Sequence, residues 1–204
     1  MCIRDRAWPA DKAWQGLPDG RGDQVTFPLP YPIAAPPVLL PKAGLTSRIA
    51  VADSAGVLHL LTLAADGSLQ TKRTWQLKGK FTSGPFVRVL SDGGVRIGCV
   101  LEERHLVWLD PEREKPLWTY PTNGEVIVGQ PQVIEDMLVL AHQSGHYVGL
   151  NPATGEAQGI GYTLRASAAP AATPVSFGSR HMFAPLSDGT ALLLPLKLLR
   201  NAKP

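Results

Sequence analysis

The stretch AHQSGHYVGLNPATGE, residues 141–156, is compatible with a helix or with a pair of strands. The choice between these two interpretations decides the fold of the chain. His142 and His146 are four residues apart, so on a helix both imidazoles would lie on one face and could bind a metal. Alternatively, two short apolar strands flank a turn at Gly145, and a second turn follows at Gly155. The rest of the sequence favours strands, because the same arrangement recurs along the chain.

A proline that precedes a short apolar strand occurs four times. The segments are APPVLL (35–40), GPFVRVL (84–90), GQPQVI (129–134) and ATPVSF (172–177). Their prolines, which are 48, 46 and 43 residues apart, are Pro37, Pro85, Pro131 and Pro174. A period of this size, with one small sheet in each repeat, is typical of β-propeller blades.

A tight turn between two apolar strands recurs in step with these prolines. It occurs in ADSAGVLHLL (52–61), LEERHLVWL (101–109), AHQSGHYVGL (141–150) and PLSDGTALLL (185–194). Gly56, Gly145 and Gly189 occupy one turn position, where glycine adopts a positive φ without steric cost. Arg104 takes this position in the second repeat, so we expect a different turn geometry there.

The strands predict the fold class. Runs such as MLVLA and ALLLPL are continuously apolar, as in sheets that neighbouring sheets cover on both faces. The 204 residues include 20 Gly and 19 Pro, with 44% hydrophobic and 18% charged residues, which favours an all-β protein. We predict a β-propeller of four-stranded antiparallel blades, with about four blades present as a fragment of a seven- or eight-bladed ring. Such a partial ring would leave a blade face uncovered, so we expect poor solubility.

The predicted organisation has a tail at each end of the repeats. Residues 1–6 (MCIRDR) do not relate to the patterned chain, and we interpret them as an artefactual or unstructured tail. Residues 7–33 are predicted to be a loop-rich remnant of a preceding blade, and residues 197–204 a basic C-terminal tail. The blades cover residues 34–196, with predicted boundaries at 34–80, 81–125, 126–168 and 169–196.

The repeats resemble those of the quinoprotein-like β-propeller family, which are also called pyrroloquinoline quinone (PQQ)-type repeats. The family pattern is a strand, a glycine turn, a strand ending in Ala-Leu-Asp, then Thr-Gly and a tryptophan. In GHYVGLNPATGEAQG (145–159), Asn151 replaces the usual Asp, Thr154 and Gly155 match, and the tryptophan is lost. The resemblance covers residues 34–196.

A second repeat carries the other half of the pattern. RHLVWLDPEREKPLWTY (104–120) keeps Asp110 and Trp118 but loses the Thr-Gly pair, and Trp75 lies in a corresponding last strand. The resemblance implies that the Asp or Asn caps the turn and that the tryptophan packs onto the adjacent blade. These roles are structural.

The resemblance implies three alternative functions. We favour the BamB-like, non-catalytic branch, in which the ring is a scaffold that docks a protein partner or ligand through its loops and channel without a cofactor. The alternative is a truncated part of a PQQ-dependent quinoprotein dehydrogenase, which would bind PQQ and calcium. The second alternative is a sensor or accessory propeller fused to a catalytic domain such as a kinase. The resemblance also implies a periplasmic or cell-envelope location in a bacterium.

No residue is predicted to be catalytic, cofactor-binding or metal-binding. Zinc needs three or four converging ligands, and the sequence places no third ligand beside His142 and His146. Cys99 lies in an apolar strand and is interpreted as a small buried hydrophobe. Three other histidines lie in or beside predicted strands: His59, His105 and His181. Seven acidic residues lie at turns and are expected to be local caps: Asp53, Asp66, Asp92, Glu102, Glu103, Asp110 and Asp188.

Several other functions find no support in the sequence. A net charge of +3 is too small to indicate nucleic-acid binding, and Lys197, Arg200 and Lys203 are interpreted as a solvated end. No apolar run approaches the ~20 residues of a membrane span, so membrane association would need a segment outside this sequence. The Arg-Gly-Asp tripeptide at 21–23 is interpreted as a chance occurrence, and Cys2 belongs to the tail. The redox compartment and the oligomeric state stay open.

Overall fold

The computed structural model describes residues 27–43, 46–63, 68–165 and 168–200. These residues form fifteen β-strands in four antiparallel sheets and one short 3₁₀ helix. No helix among them is long and apolar enough to cross a membrane. The predicted fold class, an all-β partial propeller of antiparallel blades, is confirmed.

Some predictions concern residues outside the described ranges. They are the tail at 1–6 with Cys2, most of the remnant at 7–33 with its Arg-Gly-Asp tripeptide, Asp66, and the last four residues of the basic tail with Lys203.

The strands follow sequence order within each sheet. Blade 1 contains β1 (Val38–Ala43), β2 (Thr46–Ala52), β3 (Val57–Leu63) and β4 (Leu69–Gln76). Blade 2 contains β5 (Phe86–Val89), β6 (Val95–Leu101), β7 (His105–Leu109) and β8 (Trp118–Pro121). Blade 3 contains β9 (Gln132–Ile134), β10 (Met137–Ala141), β11 (His146–Leu150) and β12 (Tyr162–Thr163). Blade 4 contains β13 (Val175–Phe177), β14 (His181–Pro185) and β15 (Ala191–Pro195).

Blade 4 departs from the four-stranded pattern within the part of the chain that is described. After β15 the chain enters a 3₁₀ helix, Leu196–Arg200, whose Leu196 and Leu199 are buried in the cluster that blades 3 and 4 share. Arg200 forms an ion pair with Asp136 in the β9–β10 turn of blade 3. The helix therefore packs back onto the preceding blade.

Each first strand begins directly after one of the four repeated prolines. Strands β1, β5, β9 and β13 start one residue after Pro37, Pro85, Pro131 and Pro174. Proline has no N–H for the ladder and a fixed φ, so it is tolerated at a strand boundary but not inside a central strand. The proline spacing therefore sets the blade period.

The hairpin turns have the expected geometry. Gly56, Gly145 and Gly189 have φ values of 82°, 90° and 84°. In the second repeat the turn is one residue shorter, and two non-glycine residues, Glu102 and Glu103, have φ values of 51° and 59°. Two successive left-handed residues are typical of a type I′ hairpin turn. The predicted difference at the second turn is confirmed.

Alternate residues along the middle strands pack against different neighbouring blades. In β6, Cys99 lies in the apolar cluster shared with blade 1, whereas Val100 lies in the cluster shared with blade 3. In β10, Leu140 faces blade 2 and Val139 faces blade 4. Blades 2 and 3 are therefore buried on both faces, as their continuously apolar strands predict.

One cross-strand row in each of blades 1, 2 and 3 faces the following blade, and we call this row and its equivalent in blade 4 the forward row. It comprises Val38, Ala50 and Leu60 in blade 1; Phe86, Gly98 and Trp108 in blade 2; Gln132, Val139 and Gly149 in blade 3; and Val175, Phe183 and Leu193 in blade 4. In blade 2 a Cβ on Gly98 would lie 2.1 Å from Phe86 Cζ. Glycine is therefore needed there so that the phenylalanine ring can cross the row.

Tryptophans of the outer strands join consecutive blades. Trp75 Nε1 donates a hydrogen bond to the carbonyl of Arg113 in blade 2 at 3.1 Å. Trp118 Nε1 donates to the carbonyl of Pro152 in blade 3, also at 3.1 Å, and its ring covers Gly155, where a Cβ would lie 2.5 Å from Trp118 Cδ2. The tryptophan packing that the repeat pattern implied is present in both blades.

Candidate functional site

A groove of about 640 Å³ lies between the innermost strands of blades 1 and 2. Strands β1 and β5 form its walls, together with proline-rich segments that contribute Pro36, Pro37, Pro41 and Pro85. Leu39 and Val89 line the groove and are 64% and 52% exposed. The groove therefore has a mixed lining, in which prolines and exposed aliphatic side chains lie beside the polar side chains of Arg88 and Gln130.

Arg88 lies in the wall of this groove and connects blade 2 to blade 3. Its Nε and Nη2 donate hydrogen bonds to the carbonyl of Pro131 at 3.1 and 2.8 Å, and Nη1 donates to the carbonyl of Val87. Its guanidinium lies 4.8 Å from the centre of the Phe86 ring, within cation–π distance. Partial burial lowers the pKa of Arg88. The wall is therefore a rigid surface with one fixed positive group.

The structure brings Glu125 to the two histidines of the opening stretch. The rings of His142 and His146 stack with centroids 5.9 Å apart. Their Nδ1 atoms lie 3.5 and 4.0 Å from Glu125 Oε2, and Ser144 Oγ donates to the same oxygen at 3.0 Å. The predicted strand–turn–strand geometry is confirmed, but the histidines share a carboxylate that the sequence did not place beside them.

The charge state of this histidine cluster depends on burial. His142 is 2% exposed, and its Nδ1 has no hydrogen-bond partner. Burial lowers the pKa of His142 and is the largest effect. The Glu125 carboxylate raises this pKa, and His146 lowers it further. His146 Nε2 lies 3.0 Å from the carbonyl of Ile160, so that nitrogen is occupied. Within residues 27–43, 46–63, 68–165 and 168–200, no group of three or more His, Cys, Asp or Glu side chains is arranged to hold a metal ion.

The histidine cluster predicts a pH dependence of stability. The pKa of His142 is lower in the folded protein than in the unfolded chain, so the unfolded chain binds the proton more readily. The contribution of His142 to the free energy of unfolding is therefore complete above about pH 6.5, the ordinary pKa of histidine. It decreases as the pH falls from that value towards the lowered pKa of His142 in the folded protein. We expect thermal melts between pH 7.5 and pH 5 to show a smaller loss of Tm for His142→Gln than for the wild type. His181→Gln is the matched control, and an unchanged pH slope in His142→Gln would contradict this role.

A second polar pair is buried in blade 1, at the turn between β2 and β3. Asp53 is fully buried, and its Oδ1 accepts hydrogen bonds from the N–H groups of Ala55 and Val57, both at 2.9 Å. Its Oδ2 lies 2.8 Å from Nε2 of His59, which is also buried. The pair fixes the β2–β3 turn and leaves no oxygen of Asp53 unused.

The other predicted candidates are distributed among the blades. Asp92, Asp110 and Asp188 accept hydrogen bonds from backbone N–H groups two residues later, at 2.8, 2.8 and 2.9 Å. The interpretation of these turn acids as local caps is confirmed. Cys99 is fully buried between blades 1 and 2, and burial raises the pKa of its thiol, as expected for a structural cysteine.

The remaining histidines and glutamates stay at strand ends. His105 begins β7 and His181 begins β14, and both are half-buried. Glu102 and Glu103 form the exposed turn before His105. The structure does not bring these residues to Asp53 or to the histidine cluster.

Two contributors to these sites were missed by the sequence analysis, namely Arg88 and Glu125. The repeat register contained a signal for Glu125. The segment just before the first strand of a blade approaches the hairpin turn of the same blade, as in the bridges Ile33–Asp53 and Ile127–His142. A residue just before Ile127 is therefore placed near the His142 turn. Arg88 had no comparable signal, because its acceptor is a backbone carbonyl.

The fold is similar to that of several solved structures. No protein-family model and no curated protein matches the chain. The crystal structure of BamB from Moraxella catarrhalis matches with a TM-score of 0.59 at 13% identity, over 81% of this chain and 47% of that chain. The computationally designed Ika4 protein matches with a TM-score of 0.56 at 12% identity, over 82% of this chain and 93% of that chain.

A third structure extends the likeness to another class of propeller. The WD40 domain of SCAP from fission yeast matches with a TM-score of 0.51 at 13% identity, over 77% of this chain and 47% of that chain. This chain therefore spans about half the length of the BamB and SCAP chains that it matches. At these identities the likeness shows the fold alone: the chain is an array of β-propeller blades.

Proposed function

We propose that this chain is a non-enzymatic scaffold of the PQQ-like repeat type, on the BamB-like branch, and that it docks a protein partner through the groove between β1 and β5. The observation that carries the proposal is the apolar part of the lining of this groove, where Leu39 and Val89 are exposed on strands β1 and β5. Exposed apolar surface on a rigid element is typical of protein-interaction sites. Rigid strands also reduce the ordering entropy that binding costs.

The chemistry of the groove defines the partner that it fits. Its prolines and aliphatic side chains offer hydrophobic contact, and the guanidinium of Arg88 already binds the carbonyl of Pro131. The partner that fits best is an extended apolar segment of a protein. We propose that binding requires no cofactor, and the resemblance of the repeats supports a location in the cell envelope.

The turn acids support the non-enzymatic proposal. Calcium and quinone chemistry would require free carboxylates, whereas Asp53, Asp92, Asp110 and Asp188 already bind the backbone of their own turns. A carboxylate that caps a turn is held by those hydrogen bonds and would leave donors unpaired if it moved.

Site-specific photo-crosslinking in a bacterial host tests the groove directly. A photoreactive amino acid replaces Val89 in the groove or, as the matched control, Ile160, which is 49% exposed in blade 3. We expect Val89 to give a discrete protein adduct that the Ile160 position does not give. Equal adducts at both positions, or none at Val89, would contradict docking through the groove.

Addition of PQQ and calcium should not produce reduction of an electron-accepting dye, and quinone-dependent reduction would overturn the non-enzymatic proposal.

A further inference from the structure

A group of basic side chains lies where blade 1 packs onto blade 2, and we call Arg48, Thr62, Lys72 and Arg73 the basic cluster. Arg48 of β2 is only 5% exposed, and its Nη1 donates a hydrogen bond to Glu112 Oε1 at 2.6 Å. Lys72 of β4 donates to both oxygens of the same carboxylate, at 3.0 and 2.7 Å. The Glu112 side chain is 61% exposed and comes from the β7–β8 loop, so it reaches the cluster from the surface of blade 2.

A register shift in β4 turns two consecutive basic residues towards blade 2. Leu60 of β3 pairs with Arg73, and the next residue of β3 pairs with Thr71. Lys72 is therefore an extra residue in the ladder, as in a β-bulge, which changes the direction of the side chains around it. Leu60 belongs to the forward row, so its partner Arg73 lies on the side of the sheet that faces blade 2. The contact with Glu112 places Lys72 on that side as well.

Four polar atoms of the basic cluster are buried without a partner. Thr62 pairs with Arg48 and lies two residues after Leu60, so both side chains share the side of the sheet with Arg73. Nε and Nη1 of Arg73, Nε of Arg48 and Oγ1 of Thr62 have no hydrogen-bond partner among the described residues. A guanidinium stays charged in proteins, and shielding its donors from water without an acceptor costs free energy. These donors therefore point to an acceptor that the chain itself does not supply.

We propose that the basic cluster binds a small oxyanion of the phosphate class between blades 1 and 2. Three positive charges face the single carboxylate of Glu112, and a dianion balances the excess. Guanidinium groups donate parallel hydrogen bonds to phosphate oxygens, and a lysine adds a compact positive charge.

The Glu112 carboxylate marks the position of the anion. Phosphate replaces it on Arg48 and Lys72 and accepts hydrogen bonds from the unpaired donors of Arg73, while the exposed Glu112 side chain turns into solvent. The near-complete burial of Arg48 restricts the site to a small ligand. This inference is independent of the proposed docking groove, because no residue of the basic cluster lines that groove.

Isothermal titration calorimetry of the full chain with inorganic phosphate, at constant ionic strength, tests the site. We expect saturable binding of one phosphate to each chain. Arg73→Gln should weaken this binding at least about tenfold, which is the scale of a hydrogen bond to a charged group. Glu112→Gln removes the competing carboxylate and should tighten the binding. Arg180→Gln is the matched control, because it removes an exposed arginine of the β13–β14 turn and should leave the affinity unchanged.

Thermal melts separate binding from a purely structural role. A ligand of the folded state raises Tm, so phosphate should raise the Tm of the wild type and of Arg180→Gln much more than that of Arg73→Gln. Without phosphate, Arg73→Gln should melt no lower than the wild type, because the guanidinium that it removes has no partner. If Arg73→Gln does not fold, Lys72→Gln provides a second variant and should also weaken binding.

Glycerol phosphate as a second titrant distinguishes a phosphate ester from the free ion, since the titrant with the higher affinity identifies the source. The absence of saturable binding for both titrants would overturn the proposal. Unchanged affinity in folded Arg73→Gln and Lys72→Gln, an equal loss of affinity in Arg180→Gln, or weaker binding in Glu112→Gln would also contradict it.

Discussion

Replacement of Trp108 by alanine is expected to lower the free energy of unfolding by about 3–5 kcal/mol, which is the usual cost of removing a buried aromatic ring. Trp108 is fully buried in the forward row of blade 2. Its ring stacks on Trp118 with centroids 5.6 Å apart and meets Phe86 at 6.1 Å. The substitution would therefore open a cavity where blade 2 packs against blade 3.

Urea unfolding at equilibrium measures this effect, and Trp108→Phe is the matched control. Trp108 Nε1 has no hydrogen-bond partner, so phenylalanine removes volume without removing a hydrogen bond, and we expect a clearly smaller loss than with alanine. If Trp108→Ala unfolds at nearly the same urea concentration as the wild type, the packing of blade 2 on blade 3 described here is incorrect.

Replacement of Asp53 by alanine is expected to cost about 3 kcal/mol or more, because removal of one partner of a buried polar pair leaves the other uncompensated. Three donors would lose their acceptor: the N–H groups of Ala55 and Val57 and the imidazole of His59. Asp53 is fully buried, so water does not replace the lost carboxylate without opening blade 1.

Two variants separate the roles of Asp53. Asp53→Asn retains an oxygen for the turn and should lose less stability than Asp53→Ala. Asp92→Ala removes a cap from an exposed turn and should have a much smaller effect in the same urea titration. Equal losses for Asp53→Ala and Asp92→Ala would show that the buried pair with His59 contributes nothing.

The repeat period and the turn residues predicted the fold because they act locally. Pro37 and its three counterparts mark strand starts by their missing N–H, and Gly145 supplies a left-handed turn residue. These constraints depend on the chain within a few residues. The continuously apolar strands likewise predicted burial on both faces without knowledge of the partner blade.

The candidate sites depend on contacts between distant residues and could be predicted only in part. Glu125 meets His142 because the segment before β9 bridges to the hairpin turn of blade 3, a contact that needs the register of the whole repeat. Arg88 binds the carbonyl of Pro131, which is 43 residues away and carries no side-chain signal. The sequence predicted an uncovered blade face but did not place it at Phe183, because the residues of this row resemble those that are buried in the other blades.

Hydrogen exchange of the wild-type chain, resolved along the sequence by mass spectrometry, tests the stacking of blades most directly. If each blade is held by its neighbours, the amides of β6, β7, β10 and β11 will exchange most slowly, because blades 2 and 3 are covered on both faces. Amides of β13 and β15 should exchange faster, because the exposed Val175 and Leu193 leave one face of blade 4 uncovered. Uniformly fast exchange across blades 2 and 3, or protection that does not recur with the blade period, would contradict the propeller array.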